Sequence, residues 1–428
     1  MKIAVIGSGV SGLGAAWLLA PQHEVVVFEK EGRPGGHAHT ALVKDRDGKS
    51  IPVDTGFMVY NPLRYPNLVK LFDHFSVKSE PTSMSFAVSV DDGAFEFSSN
   101  LPDGVFADRD NILSIPFYEF LLEITRFNAT ARDALKKGIS PHQTLWEWLE
   151  EHKFSKDLGE KYLLPLIGSV WSTPKKLARD FPCAELFAFL DAHHLLAVIG
   201  HHQWKTVTGG SVEYVKRVVE EIRDYGGVIR VNHPVQTVRR YDDHVIVVSK
   251  KKAERFDYVI FATHSDETLA LLERPSREEK ILLSKFKYEK NTVYLHSDSS
   301  LMPRRKEAWA SWNYLGYSGW TSKTKKVCLT YHMNNLQNLS TDLPVFVTLN
   351  PYRKPKASLT HDIFHYSHPL CTCTSMEMRT RLKDLQNKNR TLFCGAYFGY
   401  GFHEDGITSA IEAVRYLGVQ PPWDTTNL

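Results

Sequence analysis

Three glycines near the start of the chain, Gly7, Gly9 and Gly12, stand in the spacing GxGxxG between an apolar run, Lys2 to Ile6, and a helical pattern carried by Leu13, Ala16 and Trp17. The chemistry such a turn serves is anion binding. Gly7 permits the tight turn, Gly9 lets a pyrophosphate approach the backbone, and Gly12 lets strand and helix pack closely. The helix start, with Ser8, Val10 and Ser11 around it, offers free N–H groups and the positive end of a dipole. A second strand, "EVVVFE", ends at Glu29, 17 residues after Gly12, where an acid accepts the ribose hydroxyls of an adenosine. Strand, turn, helix, strand and acid together read as a dinucleotide site.

The next stretch, "EKEGRPGGHAHT" from Glu29 to Thr40, separates flavin from nicotinamide. A nicotinamide dehydrogenase would continue with a plain helix; this chain places Gly35 and Gly36 in a second turn beside Lys30, Arg33 and His37. The stretch resembles the second glycine motif of the flavin-containing amine oxidase superfamily, and the resemblance implies FAD. One departure stands out, because an arginine often follows the glycine pair in that superfamily and His37 stands here. The phosphate charge then falls to His37, to Arg33, or mainly to backbone. "VDTGF", Val53 to Phe57, resembles the segment that passes the flavin ring, which implicates Thr55, Gly56 and Phe57; its plainer reading is a strand-to-turn junction.

Two later segments add to the resemblance. "LFCGAYFGYGFHEDGITSAIEAVRYLG", Leu392 to Gly418, reads as a short strand ending at Gly395, a glycine-rich loop and a helix beginning near Gly406. In the superfamily such a helix start points at the flavin pyrimidine, which implicates Asp405, Gly406 and Ile407, with Asp405 bonding the ribityl chain or the pyrophosphate. A surface helix with Asp405 as a mere cap is the alternative. "WKTVTGGSVEYVKRVVEEIRDYGGVIRV" resembles the middle return to the cofactor domain, after which backbone near Val235 meets the adenine, and "FDYVIFATHSDETLALL" resembles its closing strand.

The elements that must position these residues follow. The class is α/β: a Rossmann-like FAD-binding domain with an interleaved α+β substrate domain, of the amine oxidase or glutathione-reductase-2 type. The expected FAD-binding pieces are 1–60, 205–268 and 386–420, and the expected substrate domain is 61–204 with 269–385, mainly helical over 113–200 and sheet-like after 270. Trp171 and Trp204 are candidate pocket walls, although aromatic side chains serve equally as core. Arg64 is a candidate partner for a fatty acid carboxylate, against the plainer reading of a solvated loop arginine. His403 and Glu404 are candidate proton donors.

A narrower resemblance covers nearly the whole chain. Phrases such as "VDTGFMVYN", "QWKTVTGGSVEYV", "TYHMNNLQ", "HYSHP" and "GYGFHEDG" are similar to NAD/FAD-binding oxidoreductases found beside, or fused to, cyclopropane fatty acid synthases. That likeness implies hydride transfer from an apolar substrate, a fatty acyl chain, to flavin N5, with a cyclopropane fatty acid synthase as a partner. A fainter likeness to flavin-dependent polyunsaturated fatty acid isomerases lies around Pro165 to Trp171 and Trp204 to Gly210. The alternatives are a flavin amine oxidase and a non-catalytic flavoprotein partner of the synthase.

Composition narrows the field further. The 428 residues carry 52 basic and 49 acidic side chains, a net +3 with no long basic run, so neither nucleic acid nor a polyanionic partner is implied. Five cysteines are too few and too scattered for a disulfide scaffold. The 19 histidines include the pairs His193–His194 and His201–His202, but no HExxH spacing, so no metal is expected. No GxSxG elbow offers a covalent nucleophile. With no cleavage-site pattern and no 18-residue apolar run, the expected location is cytoplasmic, with peripheral membrane contact as an option.

Overall fold

The computed structural model describes residues 1–197, 202–317 and 326–427, so His201 and residues 198–200 of the expected helical stretch lie outside it. Five short runs rich in Val, Ile and Phe form one sheet, in the order Thr391–Phe393, Tyr258–Phe261, Lys2–Ile6, Glu24–Phe28, Val228–Arg230. Every pairing in it is parallel. Such strands are covered on both faces, which is why they read as continuous apolar runs without alternation. The sheet draws strands from residues 2–28, 228–261 and 391–393.

One face is covered by the helix Val10–Leu19, of which nine of ten residues are buried. It is clasped by the helices Val212–Asp224 and His403–Arg415. The approach of the last is close enough to require glycine on both sides. A Cβ on Gly14 would lie 2.4 Å from Ile407 Cδ1, and one on Gly406 would lie 2.7 Å from Val10 Cγ1. On the other face lie the antiparallel strands Val235–Arg240, Val245–Ser249 and Lys252–Phe256, whose Val238, Val247 and Phe256 join Phe28 and Phe261 in a second core.

Two segments assigned by sequence to the substrate domain pack with the nucleotide half instead. The helix Pro66–His74 buries Leu68, Leu71 and Phe72 against the first core, and Leu282, Leu283 and Phe286 belong to the second. Each segment is amphipathic, and an apolar face goes wherever a complementary face is nearest in space.

The rest is a seven-stranded sheet and a helical layer. The sheet runs Thr360–Pro369, Tyr288–His296, Phe346–Leu349, Cys328–His332, Trp312–Gly316, Phe86–Val90, Phe95–Ser98. The last two strands extend the sheet beyond the expected 269–385 region; Phe86–Val90 joins by a parallel pairing. The helical layer includes Ile115–Lys137, Leu164–Trp171 and Cys183–Ala192, packed through Phe127, Trp148 and Phe187.

Candidate functional site

The carboxyl ends of the parallel strands open on one cavity of about 1470 Å³, walled by Ile6, Phe28, Ala262 and Gly395 at that edge. This is where an open α/β sheet binds ligands. The glycines of the first turn have separate duties. Gly7 has φ +100°, and a Cβ there would meet Ala262 O at 2.7 Å; a Cβ on Gly12 would lie 2.0 Å from Gly7 O. At Gly9 a Cβ would meet nothing within 4 Å, so the space beside it is open. That open cradle faces a helix start with no side-chain cap and no acidic residue in its first turn. An anion is the ligand such an end lacks.

The second turn closes the cradle. Gly35 N–H donates to Ser8 O at 2.8 Å, and Gly36, at φ +56°, would place a Cβ 3.0 Å from Gly9 Cα. The buried Glu29 carboxylate accepts the Ser8 N–H at 3.0 Å, the Ser8 hydroxyl at 2.5 Å and the Glu31 N–H at 2.9 Å, which fixes it at the cavity edge. Arg33 folds over the same turn and donates to Gly36 O at 2.9 Å. Val235 stands on the wall with His233 and Pro234, and Lys30 pairs with Glu267 at 2.6 Å.

His37 also lines the cavity, but complete burial, aided by repulsion from His368 and His264, holds its pKa well below the ordinary histidine value. A neutral imidazole brings no charge to an anion; the Arg33 guanidinium, held over the second turn, and the free N–H groups of the helix start are the groups here that could. His37 Nε2 has no hydrogen-bond partner among the described residues.

Beyond the turns, Gly56 and Phe57 stand on the wall. Gly56 is glycine because a Cβ would strike His37 O at 2.2 Å, and Phe57 stacks on His403 at 3.8 Å. Thr55 lies behind them, its hydroxyl 2.7 Å from Tyr366 OH and 2.8 Å from His39 Nδ1. The C-terminal helix starts at His403, and its first residue faces the cavity. Its acidic residues turn elsewhere: Asp405 accepts the N–H groups of Tyr400 and Phe402 at 3.0 and 2.8 Å, and Glu404 accepts those of Asn67 and Leu68 at 3.0 and 2.9 Å. Asp405 thus caps its own loop, Glu404 caps the helix Pro66–His74, and Gly406 and Ile407 pack against the first helix.

Past Phe57 the cavity continues between the seven-stranded sheet and the helical layer, along Phe86, Phe97, Ile124, Leu166 and Phe189. Among the described residues, all charged side chains on the wall, Glu29, Lys30, Glu31, Arg33 and Glu267, sit at the nucleotide end. Trp171 and Trp204 both line the apolar end, Trp171 4.4 Å from the Phe189 ring. Arg64 does not: it is exposed, in the turn closed by Arg64 N–H to Asn61 O at 2.9 Å. Sequence reasoning passed over His193, Asn128, Tyr366 and His368 on this wall. Burial pushes the His368 imidazole down to about 4, and its Nδ1 lies 2.9 Å from Ser172 Oγ. The strand around "HYSHP" gave the one local signal, a polar and aromatic alternation beside a sheet edge.

Among the described residues no group of three or more His, Cys, Asp or Glu side chains converges as a metal site, and no helix is long and apolar enough to cross a membrane.

Comparison with known proteins gives the fold a context. The flavin containing amine oxidoreductase family matches residues 10–288. No curated protein sequence matches. Among solved structures, cyclohexylamine oxidase from Brevibacterium oxydans IH-35A superposes with a TM-score of 0.66 at 15% identity, covering 97% of this chain and 98% of that one. A CLA-producing fatty acid isomerase from P. acnes gives 0.64 at 13% identity, covering 97% and 98%. An oxidoreductase from Methanosarcina mazei gives 0.65 at 16% identity, covering 96% and 100%. At these identities the likeness is one of fold.

Proposed function

Because the chain belongs to the flavin containing amine oxidoreductase family and is an FAD-dependent oxidoreductase, we propose that its substrate is the unsaturated acyl chain of a lipid, oxidised or rearranged at a double bond. The observation behind this reading is the uncharged character of the cavity beyond Phe57, where among the described residues no Asp, Glu, Lys or Arg reaches the wall. A charged group drawn into such a space loses its hydration with no partner, whereas each buried methylene gains about 0.8 kcal/mol.

The residues present fit the cofactor. Gly9 and the first helix leave room and N–H groups for the pyrophosphate, Glu29 is fixed where ribose hydroxyls arrive, and Arg33 supplies the positive charge. FAD so bound supplies a two-electron acceptor. The chain's own contribution is to align the acyl chain between Trp171, Phe189 and Trp204, and to keep water from it. The volume, about 1470 Å³, exceeds the roughly 300–1,000 Å³ of a pocket for one drug-sized ligand and leaves space for both molecules.

Three further points support a lipid. The isomerase from P. acnes, whose fold this chain shares, is by its name a fatty acid enzyme. The sequence resembles oxidoreductases associated with cyclopropane fatty acid synthases, which makes such a synthase a fitting partner. Leu101, on the cavity wall, is 63% exposed, and Leu113 and Leu122 farther along the same stretch of chain are exposed too, apolar surface suited to peripheral contact with a bilayer.

The test is anaerobic mixing of the flavoprotein with dioleoyl- and dilinoleoyl-phosphatidylcholine, free linoleate, and a set of alkyl and cyclic amines, while flavin absorbance is followed. Bleaching, or conversion to a rearranged acyl product, with lipids alone is expected. Bleaching by amines alone would replace this reading with amine oxidation, and inertness to both would make the chain a non-catalytic flavoprotein partner.

A further inference from the structure

His193 follows the helix Cys183–Ala192 and stands on the apolar end of the cavity wall. Its Nδ1 lies 2.9 Å from the Phe189 carbonyl oxygen. A carbonyl only accepts, so Nδ1 carries the proton and, in the neutral ring, Nε2 carries the lone pair. The ring stacks on Phe189 at 4.0 Å and lies 6.2 Å from the Trp204 ring and 6.3 Å from Phe402. Desolvation there disfavours the cation and outweighs the opposing contact with the Phe189 carbonyl, and the charges of Arg64, off the wall, and His202 act in the same direction as burial. Among the described residues Nε2 has no hydrogen-bond partner, yet it is not among the polar atoms sealed inside protein.

The molecule contains its own control. His152 ends the helix Leu145–Glu151 with the same contact, Nδ1 to Trp148 O at 3.0 Å, and stacks on Trp148 at 4.2 Å. It does not line the cavity. Helix capping therefore accounts for Nδ1 at both sites, but not for an imidazole that lines the cavity at one of them.

We propose that His193 Nε2 is the proton acceptor in oxidation of the acyl chain, an assignment that rests on the lipid reading above. An allylic C–H bond breaks and its hydride leaves for the flavin, which gains two electrons and one hydrogen. The electron-poor carbon left behind is faced by Phe189, Trp204 and Phe402, whose ring faces attract positive charge. The neighbouring C–H bond then breaks, its electron pair forms the new C=C bond, and its proton passes to Nε2. The substrate loses two electrons and two hydrogens, and the imidazolium returns its proton to water. With no acceptor, the hydride returns to the chain and the net result is a shifted double bond.

The test compares His193→Phe, which keeps the stack and removes both nitrogens, with His152→Phe, which removes only the cap. In anaerobic single turnovers with dilinoleoyl-phosphatidylcholine, His193→Phe is expected to lose product with the added double bond by about 10²-fold or more, at least tenfold more than it loses flavin bleaching, and to accumulate positional isomers. His152→Phe is expected to keep the wild-type ratio of the two. Equal losses of bleaching and product in His193→Phe, or no loss, would overturn the assignment. A second readout is independent of turnover: ¹⁵N-histidine spectra should show the His193 ring protonated at Nδ1 alone at pH 7 and shifting when the same lipid is added. Protonation at Nε2, or a ring unmoved by lipid, would overturn it. A wild-type flavin inert to every lipid sinks the lipid reading, and the spectra then judge His193 separately.

Discussion

The carboxylate of Asp54 accepts the backbone N–H of Ser211 at 2.9 Å and its hydroxyl at 2.8 Å, across 157 positions of sequence. It also accepts the Thr40 hydroxyl at 2.6 Å and the Gln337 side-chain amide at 2.9 Å. One buried side chain thus ties together the strand Thr40–Lys44, the start of the helix Val212–Asp224 and the helix Met333–Gln337. Asp54→Ala leaves several donors buried without a partner, and is expected to cost about 3 kcal/mol or more. Ser211→Ala is expected to cost about 1–2 kcal/mol. The double variant should fall well short of the sum, because both changes remove the same bonds. Urea unfolding of the three variants checks this.

The same site gives stability a pH dependence of defined sign. Burial pushes the Asp54 carboxyl up to about 7 and that of Asp405 up to about 6. Both lie above the ordinary unfolded value near 4, so between these limits the folded state holds protons that the unfolded state has released. Their contribution is fully present below about pH 4 and is lost as pH rises through 6 to 7. Thermal midpoints measured from pH 5 to 8 should fall more steeply in the wild type than in Asp54→Asn. Parallel slopes would refute the link.

Gly9 and Gly12 allow the cofactor to be separated from the fold. Gly12→Ala places a Cβ 2.0 Å from Gly7 O and is expected to break the packing of helix on strand. Gly9 has φ −68° and ψ −176°, an extended conformation open to any residue, and a Cβ there meets nothing within 4 Å. Gly9→Val should therefore fold with a wild-type circular dichroism spectrum and emerge without its yellow colour. Retention of bound flavin by Gly9→Val would show that the nucleotide lies elsewhere.

What the sequence made legible here was local. The spacing of Gly7, Gly9 and Gly12, the acid at the end of the second strand and the glycine pair at 35–36 are backbone requirements, written in adjacent residues. Side-chain direction is not so written. The sequence allows Asp405 as a ligand to the ribityl chain or pyrophosphate or as a cap; the helix begins at His403, and Asp405 folds back onto the N–H groups of Tyr400 and Phe402. Glu404 turns to a helix start 337 positions away. His193 is invisible for the same reason: in sequence it is one of a histidine pair after a helix, and only the approach of Trp204 and Phe402 gives its ring a role. The apolar face of Pro66–His74 carried no address, and the fold sent it to the nucleotide half.

An exposed apolar stretch next to residues of the cavity wall yields a last prediction. Exposed large apolar residues on this protein are mostly scattered, but Leu101, Ile112, Leu113, Ile115, Tyr118 and Leu122 crowd between 101 and 122, with Leu113 90% and Ile115 73% exposed. Leu101 and Leu121 also line the cavity, so this surface adjoins the substrate space. Water gains nothing from such a patch, and a bilayer that covers it recovers on the order of 1 kcal/mol for each large side chain. Wild-type protein should therefore sediment with phosphatidylcholine vesicles that carry no net charge, with little loss in high salt. The triple variant Leu113→Asp, Ile115→Asp, Leu122→Asp should stay in the supernatant while keeping its flavin, because none of the three side chains lines the cavity. Bleaching by a short-chain lipid dissolved as monomers should survive in the variant, and bleaching by vesicle lipid should fall about tenfold or more, the ratio set by a loss above 1.4 kcal/mol in membrane affinity. Equal sedimentation of the two proteins would assign the exposed leucines to some other contact and leave the acyl chain to reach the cavity by another route.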